Sequence, residues 1–491
     1  MRKSGILMHL SSLPGPYGIG TMGKAAREFV DFLAAAGQKC WQILPLSPTG
    51  FGNSPYQSFS TFAGNPYLID LDLLIEDGLL RREEVQEVFW GENPRKVDFG
   101  ALYDSRMKIL RIAFSRFAPD GDYERFCGEN SGWLGDYALF MALKDRENGA
   151  DWLRWERPLR MREPGALETA RQALREEMEL HEFLQYVFSR QWEKLHAYAA
   201  QKGIEIIGDV PIYVPLDSAD VWAAPELFRL DENRRPTAVA GVPPDAFTAD
   251  GQLWGNPLYD WEAMERTGYR WWLRRLSAAS SRYDTIRLDH FRGVESYWSV
   301  PAGEPTARGG HWEKGPGSRF IRTIREAGFS CIAEDLGYVT PEVRALQEES
   351  GYPGMKVLEF AFDSREKGNY LPHGYPVNSV CYSGTHDNLT LCQWLEEADP
   401  ADLRLAKDYL GLSREEGYAA GMIRGCMATV SELCIIQMQD WLELGGSARM
   451  NFPGTLSDRN WTWRAMPGAC SQELAAKIRT VTERYGRAFQ N

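Results

Sequence analysis

The 491-residue sequence predicts an α/β protein built as a (β/α)8 TIM barrel, with large, mostly helical insertions on its βα loops. Three observations carry that expectation. Eight short apolar strand candidates recur along the chain, separated by helical patterns. No GxGxxG or GxxxxGK[ST] follows any strand, so the phosphate-cradling reason for a doubly wound open sheet is missing. Finally, carboxylates stand at the C-terminal ends of four of the strands, where a barrel of this kind keeps its chemistry.

Taken in order, Gly5–Leu10 (GILMHL) is the first strand and runs into a turn-rich loop, SSLPGPYGIG. Lys24–Ala36 places Phe29, Val30, Phe32, Leu33 and Ala36 on one helical face, and Gly37 suits a C-terminal cap. Cys40–Leu46 (CWQILPL) is the second strand. The aromatic loop behind it, SPTGFGNSPYQSFSTFAGNPYLIDL, is too long for a mere connector. Residues 74–201 read as a mostly helical insertion, including Ala101–Phe117, Trp133–Asn148 and Leu167–Ala200.

The strand pattern resumes at Ile204–Val210 (IEIIGDV), and a second insertion over 215–281 holds the Pro/Gly/aromatic stretch VAGVPPDAFTADGQLWGNPLYDW, read as a cover loop with helices. The remaining strands are Asp284–Asp289, Ser330–Glu334, Met355–Phe362, Ser379–Ser383 and Cys434–Met438, with helices at Gly317–Ala327 and Pro341–Glu349 between them. Residues 1–491 thus form one barrel domain with two insertion subdomains. Only about fifty residues follow Met438, too few for a C-terminal β-sandwich plus a final helix, so neither that domain nor a calcium site is expected.

Composition narrows the function. A net charge of −13 and a pI near 5.3, with no offsetting basic stripe, argue against nucleic acid and equally disfavour anionic membranes. No apolar run reaches transmembrane length, and the apolar stretch near the N-terminus is too short and too interrupted for a signal peptide. The eight cysteines show no CxxC pair and no zinc spacing, which fits free thiols in a reducing compartment and a cytoplasmic protein. Aromatic residues make up 12% of the chain, enough both to fill a large core and to line a sugar site.

The chemistry centres on Thr285–Gly293, TIRLDHFRG. A strand period of two puts Arg287 and Asp289 on one face, where an arginine keeps a buried carboxylate ionised. By itself this pair is either a salt bridge or a nucleophile with its partner. The strand ends add Asp209, Glu334 and, in GTHDN, Asp387. Burying so much like charge serves no packing purpose, and perturbed acids cluster where they work.

Two chemistries use such a cluster: a divalent-metal site stabilising an enolate, and glycoside chemistry with one acid as nucleophile and another as proton donor. Arg287 beside Asp289 competes with a metal, and no lysine base stands at any strand end. His290 and His386 adjoin two of the acids, and the flanking loops offer Tyr56, Trp254 and Tyr259 with Asn256. Glycoside chemistry is the better fit, and it needs neither a metal nor a cofactor.

TIRLDHFRG, IAEDLG and GTHDN, together with SPYQSFSTFAGNPYLIDL, GVPPDAFTADGQLWGNPLY, ARMNFPG and NWTWR, resemble the amylomaltases, or 4-α-glucanotransferases (disproportionating enzymes), relatives of the α-amylases. The resemblance spans essentially the whole chain. It implies that Asp289 is the nucleophile, forming a β-linked glycosyl-enzyme, and that Glu334 is the acid and then the base. Asp387 and His386 would hold the hydroxyls of the distorted sugar, Arg287 would orient Asp289, and Asp209 would shape the same subsite. Tyr56 would stack under that sugar, Trp254 would lie in a loop covering the acceptor side, and Asn256 and His290 would contact substrate.

The implied reaction moves an α-1,4-glucan segment from a donor glucan to the 4-hydroxyl of an acceptor glucan or glucose. Its rivals are hydrolysis of the same bond, a non-catalytic glucan-binding protein and a metal-dependent lyase. Phe51 stands where the family has a tyrosine at an outlying glucan contact, so a hydrogen bond to long glucans is absent there.

Overall fold

Continuous apolar runs such as Cys434–Ile435–Ile436 suit strands that are covered on both faces, and that is how the sheet is built. The computed structural model describes residues 2–50, 52–244, 248–337, 339–365 and 370–488, so Phe51 lies outside the described residues. Among the described residues there are twelve strands: β1 (Lys3–Leu7), β2 (Cys40–Gln42), β3 (Glu205–Val210), β4 (Ala238–Val242), β5 (Gln252–Pro257), β6 (Thr285–Leu288), β7 (Ser296–Pro301), β8 (His311–Lys314), β9 (Cys331–Ala333), β10 (Gly354–Val357), β11 (Ser379–Tyr382) and β12 (Leu433–Gln437).

Eight of them, β1, β2, β3, β6, β9, β10, β11 and β12, pair in parallel in chain order, and β12 closes on β1 with Ile6 opposite Ile436. All eight sequence-read strands therefore lie in one closed barrel. Its wall is tight. A Cβ on Gly5 would lie 2.5 Å from the Cys40 carbonyl oxygen, so only glycine lets β1 and β2 approach as they do.

The helices cover the barrel as their apolar stripes dictate. Lys24–Ala35 buries Phe29, Val30, Phe32 and Leu33, and Phe29 meets Trp41 of β2 edge-on at 5.1 Å. Gly37 takes φ +71° just past that helix, the left-handed conformation that glycine supplies without strain. Between β2 and β3 stand helices that include Phe99–Arg116, Leu134–Arg146, Pro164–Ala173 and Arg175–Gln201. The stretch read as one helical segment over Leu167–Ala200 is two helices, broken at Leu174.

Two further features differ from the sequence reading. Met355–Phe362 is strand only to Val357, and Leu358–Phe362 turns as a 3-10 helix. The stretch read as a cover loop with helices contains β4 and β5, which join β7 and β8 in an antiparallel sheet of order β5-β4-β7-β8. Their Gly, Pro and polar content hides any apolar alternation. Among the described residues no strand follows β12, and no helix is long and apolar enough to cross a membrane.

Candidate active site

Strand register assembles the site. Asp209 on β3 stands opposite Arg287 on β6, which directs both side chains to one face. Arg287 Nη1 donates to Asp209 Oδ2 at 2.7 Å and to Asp289 Oδ1 at 2.8 Å, so one buried guanidinium serves two carboxylates. Burial works against the charge on Arg287, but Asp209 and Asp289 outweigh it and push its pKa well above the ordinary value. Burial raises the Asp209 carboxyl to about 6 against the pull of Arg287. The cation between Asp209 and Asp289 comes from the chain itself.

Glu334 follows β9 and is 8% exposed. Its Oε2 accepts the backbone N–H of His290 at 2.7 Å and its Oε1 that of Leu336 at 2.8 Å. Those bonds favour the carboxylate, as does Arg287, yet burial dominates and lifts the pKa to about 7. A carboxyl poised there can both give and take a proton at neutral pH. His290 meets it by adopting φ +53°, ψ +48°, a left-handed conformation that is uncommon outside glycine. Burial lowers the His290 imidazole to about 4, so it stays neutral at neutral pH.

The third carboxylate comes from the loop after β11. Thr385 donates from its N–H and its hydroxyl to Asn388 Oδ1, at 2.9 and 2.8 Å, folding GTHDN into a tight turn. Asp387 Oδ2 lies 3.2 Å from His386 Nε2, and Asp387 Oδ1 accepts from Asn451 Nδ2 at 2.6 Å. Burial raises the Asp387 pKa, but His386 and Asn451 overcome it and hold the carboxyl down at about 2. His386 is pushed the other way: burial lowers it, and Asp387 more than restores it.

Tyr56 ties the two halves together. The loop that carries it doubles back through Gly50 N–H to Gln57 O (2.8 Å) and Phe59 N–H to Pro48 O (3.3 Å). Its hydroxyl donates to Asp209 Oδ2 at 2.7 Å, and its ring stacks on His386 with centroids 4.9 Å apart. On the opposite side, the Trp254 ring on β5 meets the His290 imidazole edge-on at 4.8 Å. The antiparallel sheet therefore delivers Trp254 to the site.

Asp209, Asp289, Arg287, His290, Glu334, His386, Asp387, Tyr56 and Trp254 thus form one continuous set of contacts. Asn256 is buried on β5, separated from Trp254 by Gly255 at φ +78°. Tyr259 is core rather than site: it is 1% exposed, its hydroxyl donates to Ile212 O, and its ring packs on Tyr213. Three site residues escape the sequence reading. Asn451 and Arg449, the latter donating to Asp387 O at 2.7 Å, lie in ARMNFPG, and Trp461, 5.8 Å from both Tyr56 and His386, lies in NWTWR. Both blocks carry the resemblance, but no periodicity marks their side chains as site residues.

Comparison with known proteins identifies the family of the chain. A family model described as 4-alpha-glucanotransferase matches residues 8–469. A relative from Clostridium butyricum, named 4-alpha-glucanotransferase, is 47% identical over 98% of this chain and all of its own length. One of the same name from Thermus thermophilus is 48% identical, with 98% of each chain covered. Among solved structures, an amylomaltase from Streptococcus agalactiae in complex with acarbose superposes with a TM-score of 0.97 at 40% identity over the whole of both chains. A family match over most of the chain, and relatives of nearly half identity from end to end, show that this protein belongs to the 4-alpha-glucanotransferase family.

Proposed function

We infer that the protein is a 4-α-glucanotransferase, moving a segment of an α-1,4-glucan to the 4-hydroxyl of an acceptor glucan or glucose through a covalent glycosyl-enzyme. The observation that carries this reading is the electrostatic division of labour between two acids: Asp289 is held by Arg287, whereas burial keeps Glu334 near pKa 7. In the first step the glycosidic oxygen takes the Glu334 proton as the C1–O bond breaks, and Asp289 attacks C1 from the opposite face. In the second, Glu334 takes the proton of the incoming 4-hydroxyl, which displaces Asp289 and restores the original configuration.

Asp387, ionised and fixed by Asn451 and Arg449, holds the 2- and 3-hydroxyls of the distorted ring. Tyr56, stacked on His386, forms the floor of that subsite, with Asp209 behind it. Asn256 and the neutral His290 complete the substrate contacts, and Trp254 bounds the acceptor side. Transfer to sugar rather than water follows from excluding water and holding the acceptor in place, which raises its effective concentration. Eight free thiols, five of them buried, support a cytoplasmic setting.

Incubation with maltotriose tests the reading. Transfer produces glucose together with oligosaccharides longer than the donor. A mixture of shorter sugars alone would point instead to hydrolysis.

A further inference from the structure

Asp440 stands outside the set of contacts described above, yet it is wholly buried and aimed at the loop that carries His386 and Asp387. It follows β12 in the short helix Met438–Trp441. Asp440 Oδ2 accepts the Ser383 hydroxyl at 2.6 Å, and Oδ1 accepts the Leu391 N–H at 2.7 Å. Ser383 is where β11 leaves the barrel, and Leu391 is the first residue of the helix Leu391–Glu397. One carboxylate therefore grips both ends of the segment 383–391.

The middle of the segment is gripped from the same side. Gln437 Nε2 donates to Leu389 O at 3.1 Å, and the Leu389 N–H donates to the buried carboxyl of Glu359. The fit around Gly384 is close, since a Cβ there would lie 2.6 Å from Gln437 Nε2 and 2.8 Å from Glu359 Oε1. A buried carboxylate costs desolvation energy that an apolar residue of the same size would not. What it supplies in return is two directed bonds to two points of one loop. Only its first residue pairs with a strand, through Ser383 N–H to Ile435 O, and its tip must present Asp387 to a sugar ring within a fraction of an ångström.

We propose that Asp440 is a positioning residue for glucan transfer, a two-point latch that fixes the 383–391 loop so that His386 and Asp387 meet the sugar in register. It touches no substrate and acts through Asp387, so the proposal rests on the sugar-holding role given to that residue. The latch is specific in its chemistry. The Leu391 N–H can only donate and so needs an acceptor, and the Ser383 hydroxyl needs a polar partner; the methyl group introduced by Asp440→Ala supplies neither.

Steady-state kinetics of Asp440→Ala and Ser383→Ala test the latch, with thermal melting as the control for folding. In both variants kcat on maltotriose falls about tenfold or more, the weight of one or two directed hydrogen bonds, with KM within about twofold and each variant still folded at the assay temperature. Repetition in an Asp387→Ala background, with α-glucosyl fluoride as a donor that needs no protonation, supplies the readout a merely structural role would not move. If the latch acts through Asp387, either second substitution then costs less than about twofold.

Wild-type kcat in the folded variants, or the same tenfold loss repeated without Asp387, would overturn the proposal. If Asp440→Ala does not fold, Ser383→Ala carries both comparisons. Full activity in Asp387→Ala alone would remove the role of Asp387 and the latch with it, and that result is visible before any Asp440 comparison.

Discussion

The backbone N–H of His290 donates to Glu334 Oε2 at 2.7 Å, so the residue that follows Asp289 along the chain is bonded directly to the second acid of the site. Asp289 and Glu334 are therefore not positioned independently. The left-handed turn at His290 sets the spacing of both, and Arg287 anchors the Asp289 end.

Glu334→Gln removes the transferable proton and leaves the shape. Activity on maltotriose falls by about 10²–10⁴-fold, the usual worth of general acid catalysis. Formation of the glycosyl-enzyme from α-glucosyl fluoride, whose leaving group needs no protonation, survives. Stopped-flow release of fluoride measures that step.

The same group sets an alkaline limb. In the proposed mechanism Glu334 must be protonated to serve the first step, and burial places its pKa at about 7. As pH rises through that value the proton is lost, so kcat/KM for maltotriose declines with a midpoint near 7. With α-glucosyl fluoride as donor, that limb disappears from the pH profile of the first step.

Asn451→Ala removes a 2.6 Å bond to Asp387 Oδ1. A donor that stabilises the carboxylate keeps its pKa low, so its loss lets the pKa of Asp387 rise from about 2. The acid limb of the pH profile moves to higher pH, and kcat/KM at neutral pH drops by about five- to tenfold.

Gly5→Ala tests the barrel rather than the site. Its Cβ would lie 2.5 Å from a backbone oxygen and 2.6 Å from Cys40 Cβ, neither of which can swing away. The variant loses about 1–3 kcal/mol or more of stability, read as a lowered denaturation midpoint.

Much of this architecture is legible in the sequence for one physical reason. Barrel strands are buried on both faces, so SVCYS and CIIQM read as short apolar runs, and a carboxylate at the end of such a run stands out. The antiparallel sheet is harder to see. HWEK has no apolar face, and AVAGV lies among Pro and Gly, so its pairing with SYWSVP depends on contacts formed only after folding. Asn451, Arg449 and Trp461 stay hidden for a related cause. They reach the site from loops more than sixty residues beyond Asp387 in the case of Asn451 and Arg449, and more than seventy in that of Trp461. Asp440 is hidden too, since a buried acid in MQDW looks like any acid at the start of a helix.

In the proposed mechanism Asp289 forms the covalent bond while Glu334 moves the proton. Glu334→Gln incubated with α-glucosyl fluoride, then denatured, digested and analysed by mass spectrometry, tests it most directly. A hexosyl adduct on the peptide carrying Asp289, lost when Asp289→Asn is added, is the predicted result. An adduct on Asp209 or Asp387, or fluoride release with no adduct at all, would contradict it.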